Sequence, residues 1–250
     1  MEVKRIAVVG TGQLGNGIVQ VAIRSGYPVV MRDISEDLVQ RGYHEVQDGL
    51  ERMVARNQMD EATKAQVLGR LTTSTDPASA RDADVVIEAV SERPEIKKRV
   101  FAELDGICPP HTIFASNTSS IPITKLGSAT KRPDKVIGMH FIHPVPVIRS
   151  LTIVRGYLTS EDTFQTIYAL AKAMDREPIR TDRDYAHGSQ YLKGRNDELD
   201  GIPRLNILLW DLMEGKRTVE EIEAMKDVGV GGGMPSSSSL RPLRYWLPWA

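Results

Sequence analysis

Residues 6–15, Ile6-Ala7-Val8-Val9-Gly10-Thr11-Gly12-Gln13-Leu14-Gly15, decide the fold of this 250-residue chain. An apolar, β-branched run over residues 3–9 stops at Gly10, and a pattern of helical period follows over residues 14–25. Glycines spaced as G-x-G-x-x-G, directly after a strand and at the start of a helix, are typical of a dinucleotide-binding turn. Because residues 28–32 form a second short strand, the first 33 residues predict one βαβ unit with a right-handed crossover.

Strand and helix patterns continue to alternate beyond this unit. Alternation of this kind predicts an α/β fold of the doubly wound Rossmann type, with a mostly parallel sheet. The further predicted elements are a charged helical arm over residues 35–71 with Asp60 as a cap between its two helices, a buried strand over Asp84–Val90, a helix from Pro94 to Ile107, strands over Thr112–Ser116, Val136–Phe141 and Leu151–Val154, and a helix capped by Ser160 that runs to Met174.

The alternating pattern divides the chain into two predicted domains. Residues 1–183 form the doubly wound dinucleotide-binding domain, which includes the helical arm 35–71. Residues 184–250 form a smaller, mainly helical C-terminal domain. Asp184 opens this second part, in which the alternation of strands and helices is lost.

The C-terminal part has an uneven pattern. Residues 205–214 and 219–227 have helical periodicity, whereas residues 187–204 have no sustained period. Residues 236–250 combine a serine run with a proline-broken aromatic tail, which is typical of irregular chain. We therefore expect the C-terminal domain to be divergent and incomplete. We hypothesise that 187–204 and 236–250 arise from reading-frame artefacts or degenerate coding.

The composition of the chain excludes several classes of binding partner and cellular location. Lys and Arg total 32 against 33 Asp and Glu, so no net field attracts nucleic acid or an anionic membrane. The single cysteine, Cys108, excludes an internal disulfide and a cysteine-based metal cluster, and we expect no metal. Residues 1–5 are too few and too charged for a signal peptide, and no stretch approaches the ~18 apolar residues of a membrane span. These features predict a cytoplasmic protein, or an organellar one from which a leader was removed.

The glycine turn predicts how a dinucleotide is held. Gly10 permits the tight turn, Gly12 lets the backbone approach a pyrophosphate, and Gly15 lets the helix pack closely on the strand. The helix N-terminus offers free N–H groups and a positive dipole end to the phosphates. Asp33 ends the second strand, where its carboxylate accepts hydrogen bonds from ribose hydroxyls and repels a 2′-phosphate. The cofactor is therefore predicted to be NAD, bound by Gly10, Thr11, Gly12, Gln13, Leu14, Gly15 and Asp33.

A second block of motifs lies between residues 115 and 146. Residues 115–120, Ala-Ser-Asn-Thr-Ser-Ser, follow a predicted strand, and residues 138–146, Gly-Met-His-Phe-Ile-His-Pro-Val-Pro, follow another, with 21 residues from Ser119 to His140. This order and spacing resemble the L-3-hydroxyacyl-CoA dehydrogenase family, with its sugar-acid dehydrogenase relatives, over residues 3 to about 183. The resemblance implies an NAD-dependent oxidoreductase of fatty-acid β-oxidation with an acyl-CoA substrate. It also implies a homodimer if the C-terminal domain folds.

The resemblance assigns roles to individual residues. His140 matches the histidine that removes the 3-hydroxyl proton, a task that suits imidazole because its pKa lies near working pH. Ser119 matches the serine that hydrogen-bonds the substrate oxygen and also contacts the cofactor, and Asn117 lies beside it in the same loop. Glu92 and Lys97 match an acidic and basic pair that lines the nicotinamide side of the cleft.

The helical arm matches the region where the family holds the CoA portion. Arg52 and Arg56 lie on one helix face at an i, i+4 spacing and are candidate contacts for a CoA phosphate. The alternative is that they belong to an ordinary solvated helix face.

Two positions depart from the family pattern near His140. In the family a glutamate 12 residues beyond the histidine accepts its ring N–H, and Thr152 occupies that place here. The usual asparagine three residues after the histidine is His143. Loss of an orienting carboxylate costs orders of magnitude in rate in comparable sites. The C-terminal family motifs are also missing between residues 184 and 204.

Three functions therefore remain open from the sequence. The first is oxidation of an L-3-hydroxyacyl-CoA to the 3-ketoacyl-CoA, with hydride passing to NAD and the proton to His140. The second is a dehydrogenase of a small hydroxy or sugar acid, since the predicted contacts with CoA phosphate are few. The third is an NAD-binding protein with little turnover, because Thr152 replaces the family glutamate.

Overall fold

The computed structural model describes residues 1–181 and residue 184. These residues lie in one compact unit of alternating strands and helices. The strands are β1 (Ile6–Val9), β2 (Val29–Arg32), β3 (Leu71–Ser74), β4 (Val85–Glu88), β5 (Ile113–Ser116), β6 (Val136–Phe141), β7 (Ser150–Arg155) and β8 (Glu177–Thr181). The α-helices are α1 (Gln13–Arg24), α2 (Glu36–Ala55), α3 (Glu61–Leu68), α4 (Pro94–Asp105), α5 (Ile123–Gly127) and α6 (Glu161–Ala173).

The eight strands form one sheet in the order β3-β2-β1-β4-β5-β6-β7-β8. Strands β1 to β6 are parallel, β7 runs antiparallel to β6, and β8 runs parallel to β7. The strand order reverses direction between β1 and β4, and ligands of doubly wound sheets bind at this switch point, beyond the carboxyl ends of the strands. The predicted doubly wound Rossmann fold is confirmed. Apart from Asp184, the predicted C-terminal domain lies outside the described residues, so the division at 183/184 stays a prediction.

The sheet is covered on both faces, which explains why its central strands are apolar throughout. All four residues of β1, β4 and β5 are buried, as expected for parallel strands with helices on both sides. One core cluster joins the sheet to α1, α2 and α6, and the other joins it to α4 and α5. In the second cluster the rings of Phe101 and Phe114 stack with centroids 5.5 Å apart.

Helix caps agree with the sequence-based predictions. The Asp60 carboxylate accepts a hydrogen bond from the Thr63 N–H at 2.7 Å and caps α3, which confirms the break within the helical arm. Ser160 caps α6 by accepting from the Thr163 N–H. None of the helices in the described part of the chain has the length and hydropathy of a membrane-spanning segment.

Several element boundaries differ from the predictions. The first strand begins at Ile6 instead of residue 3, because the N–H groups of Lys4 and Arg5 bind the Asp84 side chain and leave the sheet. The strand predicted over residues 84–90 is shorter, and the helix predicted to reach Ile107 ends at Asp105. Elements β3, β8 and α5 are not predicted at all.

Strand β8 contains a proline. Pro178 pairs with Leu151 of β7, and β7 is the one neighbour of β8 among the described strands. Proline has no N–H to donate to a hydrogen-bond ladder and therefore occurs mainly at sheet edges. Its position explains why sequence periodicity gave no strand here.

Candidate active site

The predicted site residues gather at the carboxyl edge of the parallel strands. The glycine turn follows β1, Asp33 follows β2, Glu92 follows β4, and Asn117 follows β5. His140 lies near the end of β6, which pairs with β5. Residues from five separate segments thus lie along one edge of the sheet, on either side of the switch point between β1 and β4.

The three glycines have different surroundings. Gly10 has a φ of +102°, and a Cβ there would lie 2.6 Å from the Ala89 carbonyl oxygen. A Cβ on Gly15 would lie 1.8 Å from the Gly10 carbonyl oxygen, so only glycine lets α1 approach the turn. A Cβ on Gly12 would meet nothing within 4 Å. The face of Gly12 is therefore open to a ligand, whereas Gly10 and Gly15 are fixed by packing.

The start of α1 is free to bind phosphate. No side chain caps the helix at Gly12, and its first turn has no acidic residue. The N–H groups of a helix N-terminus left uncapped in this way bind anions and carry the positive end of the helix dipole. The donor set and the open space in front of Gly12 fit a dinucleotide pyrophosphate.

Three hydrogen-bonding groups fix the Asp33 carboxylate beside the turn. Its Oδ2 accepts from the Thr11 N–H at 2.8 Å and lies 2.9 Å from the Thr11 hydroxyl, while Oδ1 accepts from the Ile34 N–H. The Thr11 hydroxyl also lies 2.8 Å from the Leu38 carbonyl oxygen. The half-buried carboxylate keeps lone pairs for further donors, as two ribose hydroxyls would supply.

Two glycine variants separate binding from packing. Gly12→Ala is expected to weaken NADH binding at least tenfold, about 1.4 kcal/mol, while its unfolding free energy stays within about 1 kcal/mol of wild type. Gly15→Ala is expected to destabilise the protein by about 3 kcal/mol, because its Cβ collides with backbone. Fluorescence titration with NADH and urea unfolding measure the two quantities. Equal stability losses in both variants would contradict this separation.

Beyond the carboxyl end of β4 lies an ionic cluster of Glu88, Lys97 and Glu92, of which Glu88 and Lys97 are buried. The Lys97 ammonium donates to Glu88 Oε1 at 2.7 Å and to the Val90 carbonyl oxygen at 3.2 Å, and it lies 3.2 Å from Glu92 Oε2. Its side chain is only 2% exposed, and these three acceptors match its three N–H donors. Glu88 also accepts from Ser116 Oγ at 2.6 Å. Lys97 thus supports the two glutamates from within the protein and does not face solvent.

Glu92 connects this cluster to the loop after β5. Its Oε1 accepts from the Thr118 hydroxyl at 2.5 Å, from the Ser119 N–H at 3.1 Å and from the Ser120 hydroxyl at 3.0 Å. Partial burial acts to raise the pKa of Glu92, but the charge of Lys97 and these hydrogen bonds outweigh it and hold the pKa below its usual range. Glu92 is therefore a carboxylate that stays ionised beside the loop.

The pKa of Glu88 is shifted in the opposite direction to that of Glu92. Complete burial raises the pKa of its carboxyl, and the charge of Lys97 together with hydrogen bonds from Lys97, Ser116 and Val90 opposes the rise. Lys97 is the cation that makes an ionised Glu88 tolerable at this depth.

His140 is oriented by main chain rather than by a carboxylate. Its Nδ1 lies 3.4 Å from the Asn117 carbonyl oxygen. When Nδ1–H donates to that oxygen, Nε2 carries the free lone pair. Burial lowers the pKa of His140, while the Asn117 hydrogen bond and the charge of Glu92 act to raise it. The lowered pKa favours the neutral form of the ring.

Thr152 lies directly across from His140 in the antiparallel pairing of β6 and β7. This register explains how a residue 12 positions away in sequence faces the histidine. Among the described residues, however, the Thr152 hydroxyl makes no hydrogen bond to the ring. The neighbouring strand therefore contributes no charged partner to His140.

Asn117 and Ser119 have different roles in the loop. The Asn117 side-chain oxygen accepts from the Phe141 N–H at 2.8 Å and ties the loop to β6. The Ser119 N–H binds Glu92, while its hydroxyl has no hydrogen-bond partner among the described residues. Ser119 therefore keeps its hydroxyl for a ligand, whereas the Asn117 side chain is used internally.

Arg52 and Arg56 line one cavity of about 760 Å³ between α1, α2 and the segment 143–147. Both side chains are exposed, and Arg24 and His143 line the same cavity. The i, i+4 spacing at the end of α2 thus brings two guanidinium groups to one opening. The cavity also contains Glu45, so its lining is not purely cationic.

Sequence reasoning missed two parts of this site. Glu88 lies at the end of a run interpreted as a buried apolar strand, and a carboxylate in such a run is itself a signal that a buried cation is near. The contact of the Asn117 main-chain oxygen with His140 has no sequence signal, because a carbonyl group is present at every residue.

A doubly wound sheet with an uncapped glycine turn, an aspartate at the end of β2 and a histidine near the end of β6 is typical of a nicotinamide-dinucleotide-dependent oxidoreductase. Comparison with known proteins gives the particular family. The family described as 3-hydroxyacyl-CoA dehydrogenase, NAD binding domain, matches residues 5–185. The chain therefore belongs to the 3-hydroxyacyl-CoA dehydrogenase family, and its cofactor is NAD.

Individual relatives agree with this family. The chain is 36% identical over 234 residues to a probable 3-hydroxybutyryl-CoA dehydrogenase of Bacillus subtilis, covering 94% of this chain and 79% of that protein. It is 38% identical to the mitochondrial hydroxyacyl-coenzyme A dehydrogenase of Homo sapiens, covering 71% of this chain and 58% of that protein. The crystal structure of (S)-3-hydroxybutyryl-CoA dehydrogenase from Ralstonia eutropha matches with a TM-score of 0.73 and 37% identity, covering 90% and 77% of the two chains.

Proposed function

We propose that the chain oxidises the 3-hydroxyl of an L-3-hydroxyacyl-CoA to the 3-ketoacyl-CoA. The observation that carries the proposal is the histidine at the end of β6, with Nδ1 near the Asn117 carbonyl oxygen and Nε2 left to accept a proton. Relatives named as 3-hydroxybutyryl-CoA dehydrogenases support the substrate class.

The proposed mechanism assigns one task to each residue. Nε2 of His140 accepts the proton of the 3-hydroxyl, and the free hydroxyl of Ser119 donates a hydrogen bond to the same oxygen. Bound NAD would supply the acceptor for the hydride that leaves the carbon carrying this oxygen. Glu92 and Lys97 hold the loop on the nicotinamide side, and Asn117 fixes the position of that loop against β6.

We propose that the turn Gly10–Gly15 and the start of α1 hold the pyrophosphate. Asp33 holds the adenosine ribose, because its carboxylate is anchored at the end of β2 with lone pairs to spare. A 2′-phosphate would place further negative charge beside this carboxylate, so NADP is disfavoured.

We propose that Arg52 and Arg56 contact a phosphate of CoA. Their exposed guanidinium groups line the same cavity as the segment that follows His140, so a substrate could reach both. A contact with a CoA phosphate would distinguish a hydroxyacyl-CoA dehydrogenase of this kind from a dehydrogenase of a small hydroxy or sugar acid, whose substrate has no such phosphate.

NADH oxidation tests the substrate class. The purified full chain is expected to oxidise NADH with acetoacetyl-CoA at a kcat/KM at least tenfold above that with acetoacetate, since only the former has phosphates to bind. Absorbance of the reduced nicotinamide measures the rate, and fluorescence titration measures NADH binding. Equal rates with both substrates would favour a small-acid dehydrogenase, and tight NADH binding without oxidation would favour an NAD-binding protein.

Arginine variants are the control for this comparison. Arg52→Ala together with Arg56→Ala should raise KM for acetoacetyl-CoA about tenfold and leave kcat nearly unchanged, as expected for loss of uniform binding. Arg81→Ala, an exposed arginine outside the cavity, should change neither constant.

A further inference from the structure

We propose that Glu92 is the carboxylate that serves His140 in this chain, acting from the loop after β4 in place of the strand position occupied by Thr152. Glu92 holds the loop whose main-chain oxygen orients the ring, and its charge favours the protonated ring. The inference rests on the proposed function, in which His140 accepts the substrate proton.

The contacts form a continuous path from Glu92 to the ring. The carboxylate accepts from three consecutive residues, namely the hydroxyl of Thr118, the N–H of Ser119 and the hydroxyl of Ser120. The residue just before them, Asn117, presents its carbonyl oxygen to His140 Nδ1 at 3.4 Å. Movement of this carboxylate would therefore move the group that orients the ring.

The charges around His140 single out Glu92. On the facing strand β7 the opposite residue is Thr152, which is neutral, and the loop 117–120 has only hydroxyl and amide side chains. The loop after β4 contributes Glu92, with Lys97 buried behind it. On its own segment, the next titratable residue along the chain is His143. Burial disfavours the imidazolium form, so a nearby carboxylate matters more here than it would in water.

Glu92 is also held in a defined geometry. Its Oε2 lies 3.2 Å from the Lys97 ammonium, so one oxygen faces the buried cation and the other faces the loop. An ionised carboxylate anchored at both oxygens supplies fixed charge without needing to reorganise when the ring becomes protonated. Glu92 is thus a positioning residue that acts through the loop and through space.

The test measures the pKa of His140 in the ligand-free full chain. Titration by proton NMR resolves the five histidines, and the signal of His140 is identified by its absence in His140→Gln. Glu92→Gln, which keeps an acceptor oxygen but removes the charge, should lower this pKa. Glu95→Gln, an exposed carboxylate three residues away, and Thr152→Val should leave it unchanged.

Turnover provides a second readout. Glu92→Gln should lower kcat at least tenfold and move the alkaline limb of acetoacetyl-CoA reduction to lower pH, since the protonated ring is the proton donor in this direction. Adding Thr152→Glu to Glu92→Gln should restore both. An unchanged His140 pKa in folded Glu92→Gln, or an equal shift in Thr152→Val, would overturn the inference.

A measurement on the wild-type protein covers the case in which Glu92→Gln does not fold. Added salt screens a partly exposed carboxylate, so the pKa of His140 should fall as ionic strength rises. A pKa that is constant or rises with salt would equally overturn the inference. The pKa measurements do not depend on turnover. They can therefore contradict the inference about Glu92 without contradicting the proposed function, which His140→Gln tests.

Discussion

Substitution of His140 by glutamine is expected to lower kcat for NADH oxidation with acetoacetyl-CoA by about 10²- to 10⁴-fold, with little change in NADH binding. Glutamine has a similar size but no nitrogen that exchanges a proton near neutral pH. The cofactor turn is formed by a different segment, Gly10–Gly15, so the dissociation constant for NADH should remain close to wild type. Stopped-flow or steady-state absorbance, combined with fluorescence titration, separates the two effects.

A matched control is available at His111. This histidine is half exposed and pairs with Asp84 at 3.2 Å, and it lies before β5 and not at the carboxyl edge. His111→Gln should retain full turnover. Retention of wild-type kcat by His140→Gln would refute the assignment of the proton acceptor, whatever the outcome for NADH binding.

The pH dependence of the wild-type protein follows from the same ring. Oxidation of the hydroxyl substrate requires neutral His140, so kcat/KM in this direction rises with pH through the His140 pKa. Because burial holds this pKa below the usual value, oxidation should persist to lower pH than an ordinary solvated histidine would allow.

Replacement of Lys97 by methionine is expected to destabilise the protein by about 3–5 kcal/mol, the largest stability effect among these substitutions. Lys97 is 1% exposed, and its removal leaves fully buried Glu88 without a cation. Methionine fills most of the space, so the loss comes mainly from the uncompensated carboxylate. The melting temperature should fall by roughly 10 °C or more, which differential scanning fluorimetry measures.

The pH dependence of the stability loss in Lys97→Met provides a second test of the buried ion pair. Without Lys97, the folded state retains Glu88 in its protonated form, so the folded pKa lies further above the unfolded value of about 4.3. The folded state then binds more protons than the unfolded state, and stability falls as pH rises above that unfolded pKa. The deficit of Lys97→Met relative to wild type should therefore be larger at pH 8 than at pH 5.

Two further variants complete this experiment. Lys98→Met removes a neighbouring lysine of α4 that makes no ion pair among the described residues, and it should change stability by less than about 0.5 kcal/mol. Glu88→Gln added to Lys97→Met replaces the carboxyl group that the folded state must keep protonated, and it should recover part of the loss. Equal stability of Lys97→Met and Lys98→Met would show that the buried ion pair contributes nothing.

The parts of the site that sequence predicts are those encoded in short local motifs. The turn Gly10–Gly15 and Asp33 are each recognisable because the chemistry of dinucleotide binding fixes residue type and spacing over one βαβ unit. The doubly wound fold class follows from the same alternation, whereas the full strand order does not. Strand β3 escaped prediction because its four residues, Leu71-Thr72-Thr73-Ser74, contain one apolar side chain and give no usable period.

The parts that sequence does not predict depend on contacts between distant segments. Because Thr152 replaces the family glutamate, the sequence indicated that His140 had lost its anionic partner. That conclusion assumes that only the facing strand, β7, can supply such a partner. Folding brings the Asn117 carbonyl to His140 and brings Glu92 to the loop that carries this carbonyl, from two other strands. Neither contact is a property of residue type or spacing, so only three-dimensional geometry reveals them.

Pro178 has a consequence for association between molecules. An edge strand with a full row of free N–H and C=O groups can recruit a strand from another chain and so begin aggregation. In β8 the missing N–H of Pro178 interrupts that row at the second residue of a five-residue strand. Within the part of the sheet that the structure describes, Pro178 therefore disfavours intermolecular extension along β8, and Pro178→Val would remove this protection.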